Sequence, residues 1–434
     1  MWLNHDTGKT ILASIHLNFD ELQDPGSKCA APGRPYMMED GQDVGTARTS
    51  SFENAGSRDR LKILRCQGRG PERNIHRGVV VEAGFRVRVY ERYPYARPAG
   101  NILNLWPPPI HALQSMGVDI KDIGAPCTTT FRNAKGHIRA DVQLPDSFPN
   151  FDGGGFVGLL RPDLYSRMLE AIPADVIEFD RQVVGIEDRG DHVRLTFADG
   201  KTVTAGVLRS HHLQIIGGFT FADVPEAAVN ECVLMHNDKV QGTYSSILSK
   251  GRKGHQWWIL QAWTDGKEAP KDLRAHALDM AKDFTGPLKD LVAATSVDNY
   301  QTWPIRDRVP LKKWSKGRIT LAGDAAHATS PYAAYGAGMS ICDGYFIGQS
   351  LHRVNLADTA AVAKALEKYE GFQIEHTTEQ VNGAYFLGRL FHHIPFPLTF
   401  LRDLFLDNTS FLQKQVGEKN PGISLSRWRS WGLG

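Results

Sequence analysis

The apolar positions along the chain change their pattern near residue 61. Residues 1–60 are rich in Gly, Ser, Asp, Asn and Pro and have no sustained period, which predicts a disordered or poorly defined extension. LKILRC and the alternating run GFRVRVYER then predict two strands, and the intervening QGRGPERNIHRGVVVEAG is long enough for a turn and a helix. This order predicts a βαβ unit.

The rest of the chain mixes helical and strand patterns. Helices are predicted at Ile110–Met116 and at Pro162–Ala171, the second because proline is favourable at a first helical position. Residues 176–205 predict strands joined by tight turns, and residues 213–305 predict a sheet with one helical segment. After GRITLAGDAA the pattern is largely helical to about Gln415.

Composition and charge remove several classes of function. A net charge of +2 gives no electrostatic argument for binding nucleic acid or an anionic membrane surface. The five cysteines lie far apart without a CxxC pair, which predicts neither a disulfide framework nor a zinc site and favours a reducing compartment, the cytoplasm. The N-terminus has no basic region followed by a long apolar core, so no signal peptide is predicted.

The most apolar late stretch is YFLGRLFHHIPFPLTFLRDLFL. Two arginines, two histidines and two prolines interrupt it, so it is too polar to cross a bilayer. Two interpretations remain open for it. The first is a helix packed on its own protein, and the second is a surface amphipathic helix that makes weak contact with a membrane.

Two features of the βαβ unit are typical of a nucleotide site. Gly68 and Gly70 form a GxG turn, where a phosphate can approach the backbone without meeting a Cβ. Glu91 ends the second predicted strand, at the spacing where an acid reaches the ribose of a dinucleotide. The third glycine of the full fingerprint is replaced by Arg73, however, and a GxG alone is equally typical of a surface turn.

A second glycine-rich element lies late in the chain. The run Arg318–Ala322 predicts a strand that ends at Gly-Asp, which places the Asp324 carboxylate at a ligand-binding sheet edge. A simple helix cap also explains the aspartate. It does not explain Pro331 and the glycine-rich turn at 336–339, whose backbone N–H groups are suited to a polarised group. Two such elements predict one long cofactor.

The residues 317–344, GRITLAGDAAHATSPYAAYGAGMSICDG, closely resemble the GDAAH–P–GxG segment of single-component FAD-dependent aromatic hydroxylases, the group A flavoprotein monooxygenases. LKILRCQGRGP, GFRVRVYER, PAGNILNL and LLRPDL extend the resemblance over most of residues 61–375. It implies an α/β fold: a Rossmann-type FAD-binding domain with an inserted β-sheet substrate domain and a helical C-terminal region. The expected parts are the extension 1–60, the first FAD-binding part 61–212, the substrate domain 213–305, the Gly-Asp part 306–375 and the helical region 376–434.

The resemblance also implies which residues bind FAD. Each expected contact is a backbone approach or a polar group along the cofactor. They are Gly68 and Gly70 at the pyrophosphate, Glu91 at the adenosine ribose, Gly100 along the cofactor, Arg161 at the start of its helix and in contact with the FAD side of the fold, Asp324 at the ribityl or pyrophosphate portion, and Gly336, Ala337, Gly338 and Met339 at the pyrimidine edge of the flavin.

The implied activity uses NADPH or NADH and molecular oxygen to hydroxylate or epoxidise a small hydrophobic aromatic or polycyclic substrate, as in secondary metabolism. No metal is expected, and no side chain is assigned as a catalytic acid or base. Two alternatives stay open on the same fold: a dehydrogenase or Baeyer–Villiger-type oxidase, and a non-catalytic relative with a decayed FAD site. The second alternative rests on Arg73 and on the absence of the family's further Asp-Gly segment, since Asp199-Gly200 is predicted as a hairpin turn.

Some polar and aromatic residues near these motifs have a structural interpretation. Tyr332 and Tyr335, beside the flavin turn, are candidates for substrate contact, with packing as the alternative. The pairs at 211–212 and 392–393 are predicted to be solvated histidines, because neighbours in a strand or helix point in different directions and no third metal ligand is evident.

Overall fold

The computed structural model describes residues 2–3, 87–96, 102–142, 156–173, 176–189, 193–197 and 208–419. By its contacts the chain divides into one unit of residues 1–22 and 76–434 and a second of residues 23–75, and all the described residues belong to the first. Gly68, Gly70, Arg73, Gly100 and Asp199-Gly200 lie outside the described residues, as does the strand predicted at LKILRC. The predicted division into domains therefore stays a prediction.

The strands of the described residues form three sheets. Their bounds are β1 Trp2–Leu3, β2 Val87–Tyr90, β3 Ile102–Leu105, β4 Gly124–Asn133, β5 Ile138–Val142, β6 Phe156–Leu160, β7 Ile177–Glu178, β8 Val183–Asp188, β9 Val193–Phe197, β10 Leu208–Thr220, β11 Glu231–His236, β12 Val240–Ser249, β13 Arg252–Ala262 and β14 Gln301–Arg308.

The helices lie between these strands and after them. Their bounds are α1 Pro107–Ser115, α2 Arg161–Glu170, α3 Leu273–Ala281, α4 Leu288–Ala293, α5 Asp324–His327, α6 Gly336–Leu351, α7 Thr359–His392 and α8 Leu398–Asn408, with 3-10 turns at Val297–Asn299 and Pro331–Ala333 and a π-helix at Gln413–Lys419. The helices predicted at 110–116 and 162–171 are confirmed as α1 and α2, and each has proline in its first turn.

The largest sheet has the strand order β14-β10-β13-β12-β11-β4-β6-β3, with β5 paired to β4. Its centre is antiparallel, and β12 pairs with β13 from Val240–Gln261 to Ser249–Arg252. One face packs on α3 and α4 through an apolar cluster that contains Trp257 and Leu291. The opposite face carries a separate cluster and forms part of the candidate site described below.

The helices α1, α2, α6 and α7 share a different core. It is built from large aliphatic and aromatic side chains such as Leu113, Leu164, Phe346 and Tyr369, all buried. Nearby, β2 pairs with β7 in parallel, with Val89 opposite Ile177. Two parallel strands need a crossover connection. Parallel pairing is therefore the arrangement expected of a nucleotide-binding fold built from βαβ units.

The segment predicted as a strand at Arg318–Ala322 is not one. Among the described residues, the only β-type backbone pairing of this segment is a single antiparallel bridge between Lys316 and Ile319. A strand needs a neighbouring backbone, and here other groups satisfy this segment. The Leu321 amide donates to the Trp314 carbonyl at 3.2 Å, and the Tyr369 hydroxyl donates to the Leu321 carbonyl at 3.2 Å.

Three cysteines of the described residues are free thiols in the interior: Cys127, Cys232 and Cys342. Burial raises the pKa of each thiol, most strongly for Cys232 and Cys342. They behave as small apolar core residues. In the part of the chain that the structure describes, no helix has the length and apolar character to span a bilayer.

Candidate functional site

Asp324 is the first residue of α5. It follows Gly323, whose backbone at φ 59° and ψ −144° is strained for any residue with a Cβ. Among the described residues, no hydrogen bond to the Asp324 carboxylate is found. Burial raises the pKa of Asp324 to about 6, although the charges of His327, Arg161 and Arg308 act in the opposite direction. This carboxylate is therefore available to accept hydrogen bonds from a ligand.

Asp343, a buried residue of α6, links α6 to α5. One of its oxygens, Oδ2, accepts the Gly323 N–H at 2.6 Å and lies 2.7 Å from His327 Nε2. Burial alone disfavours the charged imidazole, but the Asp343 carboxylate outweighs it, and the pKa of His327 is raised. The buried pair holds the Gly-Asp turn in its positive-φ conformation, so His327 and Asp343 position Asp324.

The glycine-rich turn enters α6 without a side-chain cap. Ala334 adopts the left-handed conformation at φ 47°, Tyr335 occupies the N-cap position, and the Met339 amide donates to the Tyr335 carbonyl at 2.8 Å. The N–H groups of Gly336, Ala337 and Gly338 precede that first helical bond and have no partner within the helix. A 16-residue helix adds a partial positive charge at this end.

Gly338 is required by packing inside the protein. A Cβ at this position would lie 2.7 Å from Tyr335 Cδ2 and 3.0 Å from Pro109 Cγ. The aromatic ring of Tyr335 is buried against Met339 and Ala384. The glycine thus lets the turn fold back on α1, which explains its presence independently of any cofactor contact.

Electrostatic interactions link Glu91 and Arg161 to the surroundings of Asp324. Tyr165 of α2 has a pKa raised by burial and by the Glu91 carboxylate, while Arg161 lowers it. Arg161 also acts on Asp324. The Glu91 carboxylate caps its own turn by accepting the Tyr93 N–H at 3.0 Å on Oε1. The structure therefore brings Glu91, Arg161 and Asp324 into one electrostatic neighbourhood, although they are far apart in sequence.

These residues fit FAD. The Asp324 carboxylate, which has no hydrogen-bond partner among the described residues, suits the hydroxyl groups of a polyol. The start of α6, whose N-cap side chain makes no capping bond, suits the polar edge of a flavin. Asp343 links the two elements directly, because it belongs to α6 and holds α5. Assignment of the individual cofactor contacts remains a prediction.

The sheet face beside the turn is rich in aromatic side chains. Trp258 and Leu260 of β13 share an apolar cluster with Trp106, Trp303 and the turn residues Tyr332 and Ala334. The indole N–H groups of Trp106 and Trp303 have no hydrogen-bond partner among the described residues. This aromatic face therefore combines apolar packing surface with unused donors, which is typical of a small-molecule site.

His236, at the end of β11, lies on the same side and was not recognised in the sequence. It is buried, and neither ring nitrogen has a hydrogen-bond partner within the described residues. Its ring stacks on Phe391 at 3.6 Å between centroids and on Tyr332 at 6.2 Å. Burial holds the pKa of His236 well below its ordinary value, so the ring is neutral. Side chains alternate between the two faces of a strand, so the spacing of Cys232, Leu234 and His236 could have placed His236 on this face.

The prediction of two solvated histidine pairs is wrong for three of the four residues. His211 is buried and lies 2.8 Å from the Asp307 carboxylate of β14, whereas His212 sits at a bulge and is exposed. His392 Nε2 lies 2.6 Å from the Tyr332 hydroxyl, and His393 Nε2 lies 2.8 Å from the His211 carbonyl oxygen. These partners come from distant segments, so adjacency in sequence gave no indication of them. Among the described residues no cluster of candidate metal ligands is found.

Comparison with known proteins agrees with this geometry. The FAD binding domain family matches residues 170–380. The chain is 26% identical over 326 residues to 6-hydroxynicotinate 3-monooxygenase of Bordetella bronchiseptica, covering 67% of this chain and 82% of that protein. It is 26% identical over 351 residues to 3-hydroxybenzoate 6-hydroxylase of Polaromonas naphthalenivorans, covering 72% and 84%.

Solved structures give the same fold. Klebsiella pneumoniae HpxO complexed with FAD and uric acid superposes with a TM-score of 0.68 at 19% identity, covering 82% of this chain and 94% of that chain. This supports a Rossmann-type FAD-binding fold with a helical C-terminal region. These comparisons confirm the resemblance of the chain to the single-component FAD-dependent aromatic hydroxylases, and they support an FAD-dependent monooxygenase.

Proposed function

We propose that this protein uses FAD, NAD(P)H and molecular oxygen to hydroxylate or epoxidise a small hydrophobic aromatic compound. The observation that carries the proposal is the packing of Tyr332 and Ala334, which lead into the flavin turn, against the aromatic face of the large sheet. A substrate on that face would lie beside the turn that is proposed to hold the flavin. The dispersed cysteines support a reducing compartment, the cytoplasm.

Bound FAD supplies electron transfer from the nicotinamide and activation of oxygen. Asp324 would accept hydrogen bonds from the cofactor's hydroxyl groups. The N–H groups at the start of α6 stabilise negative charge at the adjoining polar edge, where a helix N-terminus is most effective. Leu260 and Ile215 are almost completely buried on the sheet face and exclude water from it.

The substrate contact is proposed to include one neutral hydrogen-bonding group. His236 offers an unused donor and an unused acceptor, and the Gln241 Oε1 on the paired strand has no partner among the described residues. Both side chains are uncharged, since the pKa of His236 is lowered by burial. We therefore infer a mainly apolar aromatic substrate with a hydroxyl, carbonyl or amide group.

Incorporation of labelled oxygen tests the reaction class. Purified protein loaded with FAD is incubated with NAD(P)H, ¹⁸O₂ and a panel of neutral phenols and polycyclic aromatics, and products are analysed by mass spectrometry. We expect one labelled oxygen atom in the product. A product oxidised without label would instead support a dehydrogenase, and a protein that binds no FAD would support a non-catalytic relative.

A substitution of His236 tests the substrate contact separately from the cofactor. In H236F the ring stack on Phe391 is preserved but both nitrogens are lost. We expect KM to rise by roughly tenfold or more, because the substrate's polar group is left without its partner. FAD affinity, measured by flavin fluorescence, should stay unchanged. An unchanged KM with every accepted substrate would place the substrate elsewhere.

A further inference from the structure

The helix α8 and the turn before it expose a continuous set of large apolar side chains. Phe396 is 82% exposed and Phe400 is 68% exposed, and four further residues are about half exposed. We name this surface the apolar ridge; it consists of Phe396, Leu398, Phe400, Leu401, Leu404 and Phe405. Its exposed area is roughly 600 Å², at the upper end of what monomeric proteins show.

The charged side chains of the same helix face inward. Arg402 is buried and donates to the backbone carbonyls of Phe391 at 2.8 Å and Asn237 at 3.0 Å. Asp403 and Asp407 both bind Arg139, at 3.2 and 2.7 Å, and the Arg139 side chain is almost fully buried. Each charge of α8 is therefore paired within the protein.

This arrangement reverses the usual polarity of a surface helix. A helix on a soluble protein normally buries its apolar stripe and presents its charges to water. Here ion pairs between the buried side chains of Arg139 and Arg402 and the partly exposed carboxylates of α8 anchor the polar side. The apolar side is left facing outward, so α8 is built to bury that side in a second apolar medium.

The residues that follow the ridge indicate which medium. Between Thr409 and Gly434 the sequence has four basic residues and one acidic residue, together with Trp428 and Trp431. A sequence with basic and indole residues that follows an apolar helix is typical of segments that meet the lipid headgroup region. The small net charge of the whole chain averages out this local excess. A second copy of the chain is less well matched, since a stable dimer buries about 800 Å² on each partner.

We propose that the apolar ridge docks on the surface of a lipid bilayer that contains anionic lipids. α8 then lies in the plane of the interface, with its charges still paired to the protein body and its phenylalanine and leucine side chains in the acyl boundary. Docking is peripheral, and it is independent of the flavin chemistry.

Vesicle flotation tests the proposal with the FAD-loaded full chain. Vesicles of phosphatidylcholine with phosphatidylglycerol are compared with vesicles of phosphatidylcholine alone. We expect the wild type to float with the mixed vesicles and less with the neutral ones, and high salt should reduce that difference. The double substitution F400S/L404S should lower the bound fraction about tenfold or more, because both side chains lose apolar burial.

The control is V297S, which removes an exposed apolar side chain outside the ridge. V297S should float like the wild type, and all variants should keep the wild-type flavin spectrum and melting temperature. Failure of the wild type to bind either vesicle would overturn the proposal. A dimer in lipid-free solution that F400S/L404S converts to a monomer would also overturn it, in favour of a second copy on the ridge.

Discussion

Replacing Asp324 by asparagine is expected to weaken FAD binding by about 10- to 100-fold, because a hydrogen bond to a charged group is worth about 1.5–3 kcal/mol. The carboxylate has no competing partner among the described residues, so its whole capacity is available to the cofactor. Fluorescence titration of FAD into the cofactor-free protein measures the effect. D298N changes an exposed acid in the 3-10 turn at Val297–Asn299 and serves as the matched control.

The same substitution should stabilise the FAD-free protein at neutral pH. The pKa of Asp324 is raised from 3.8 to about 6, so the folded state binds its proton more tightly than the unfolded state does. Stability therefore falls as pH rises from about 4 to about 6 and then stays low. We expect D324N to be more stable by about 1–2 kcal/mol at pH 7.5 and equal to wild type below pH 4. If D324N bound FAD with wild-type affinity, Asp324 would not be part of the cofactor site.

Replacing Asp343 by alanine should lower the free energy of unfolding by about 3–5 kcal/mol, the usual cost of leaving one member of a buried pair without the other. Both the Gly323 N–H and the His327 ring lose their acceptor. Urea unfolding of the cofactor-free protein, followed by tryptophan fluorescence, measures this loss. The double variant H327F/D343L removes both charges and should recover part of it. A loss of stability no larger than that of the control D298N would contradict the role of Asp343 in holding α5 to α6.

The stability that the His327–Asp343 pair contributes should also depend on pH, which gives a second measurement. The pKa of His327 is raised in the folded protein, so its charged form contributes stability fully below its ordinary value of 6.5. That contribution is lost as pH rises through the folded pKa. The difference in stability between wild type and H327Q should therefore shrink towards alkaline pH. In D343N, which keeps the shape of the side chain without its charge, this dependence should largely disappear.

The sequence predicted local structure well where chemistry within a few residues decides it. Prolines at the first turns of α1 and α2 remove N–H groups that have no helical partner, and the predicted helices form there. The start of α6 at Gly336 also follows from its own glycine-rich turn. The run Arg318–Ala322 was misjudged because a strand depends on a neighbour, and an apolar pattern does not reveal whether one is present.

The candidate site was only partly predictable for a similar reason. Asp324 and Gly336–Met339 belong to one short segment, so their spacing can be recognised in the sequence itself. His236, by contrast, acquires its meaning from strand register and from the ring of Phe391, which belongs to α7. The pairing of His211 with Asp307 likewise depends on β10 lying beside β14. Such contacts between distant segments follow from the folded sheet and have no local signature.

The buried thiols have a consequence for the durability of the enzyme. Any catalyst that activates oxygen releases some hydrogen peroxide when transfer to the substrate fails. Peroxide attacks the thiolate form of cysteine, and burial keeps Cys127, Cys232 and Cys342 protonated at neutral pH. At these three positions the protein is chemically resistant to its own by-product, and its working lifetime should not be limited by their oxidation.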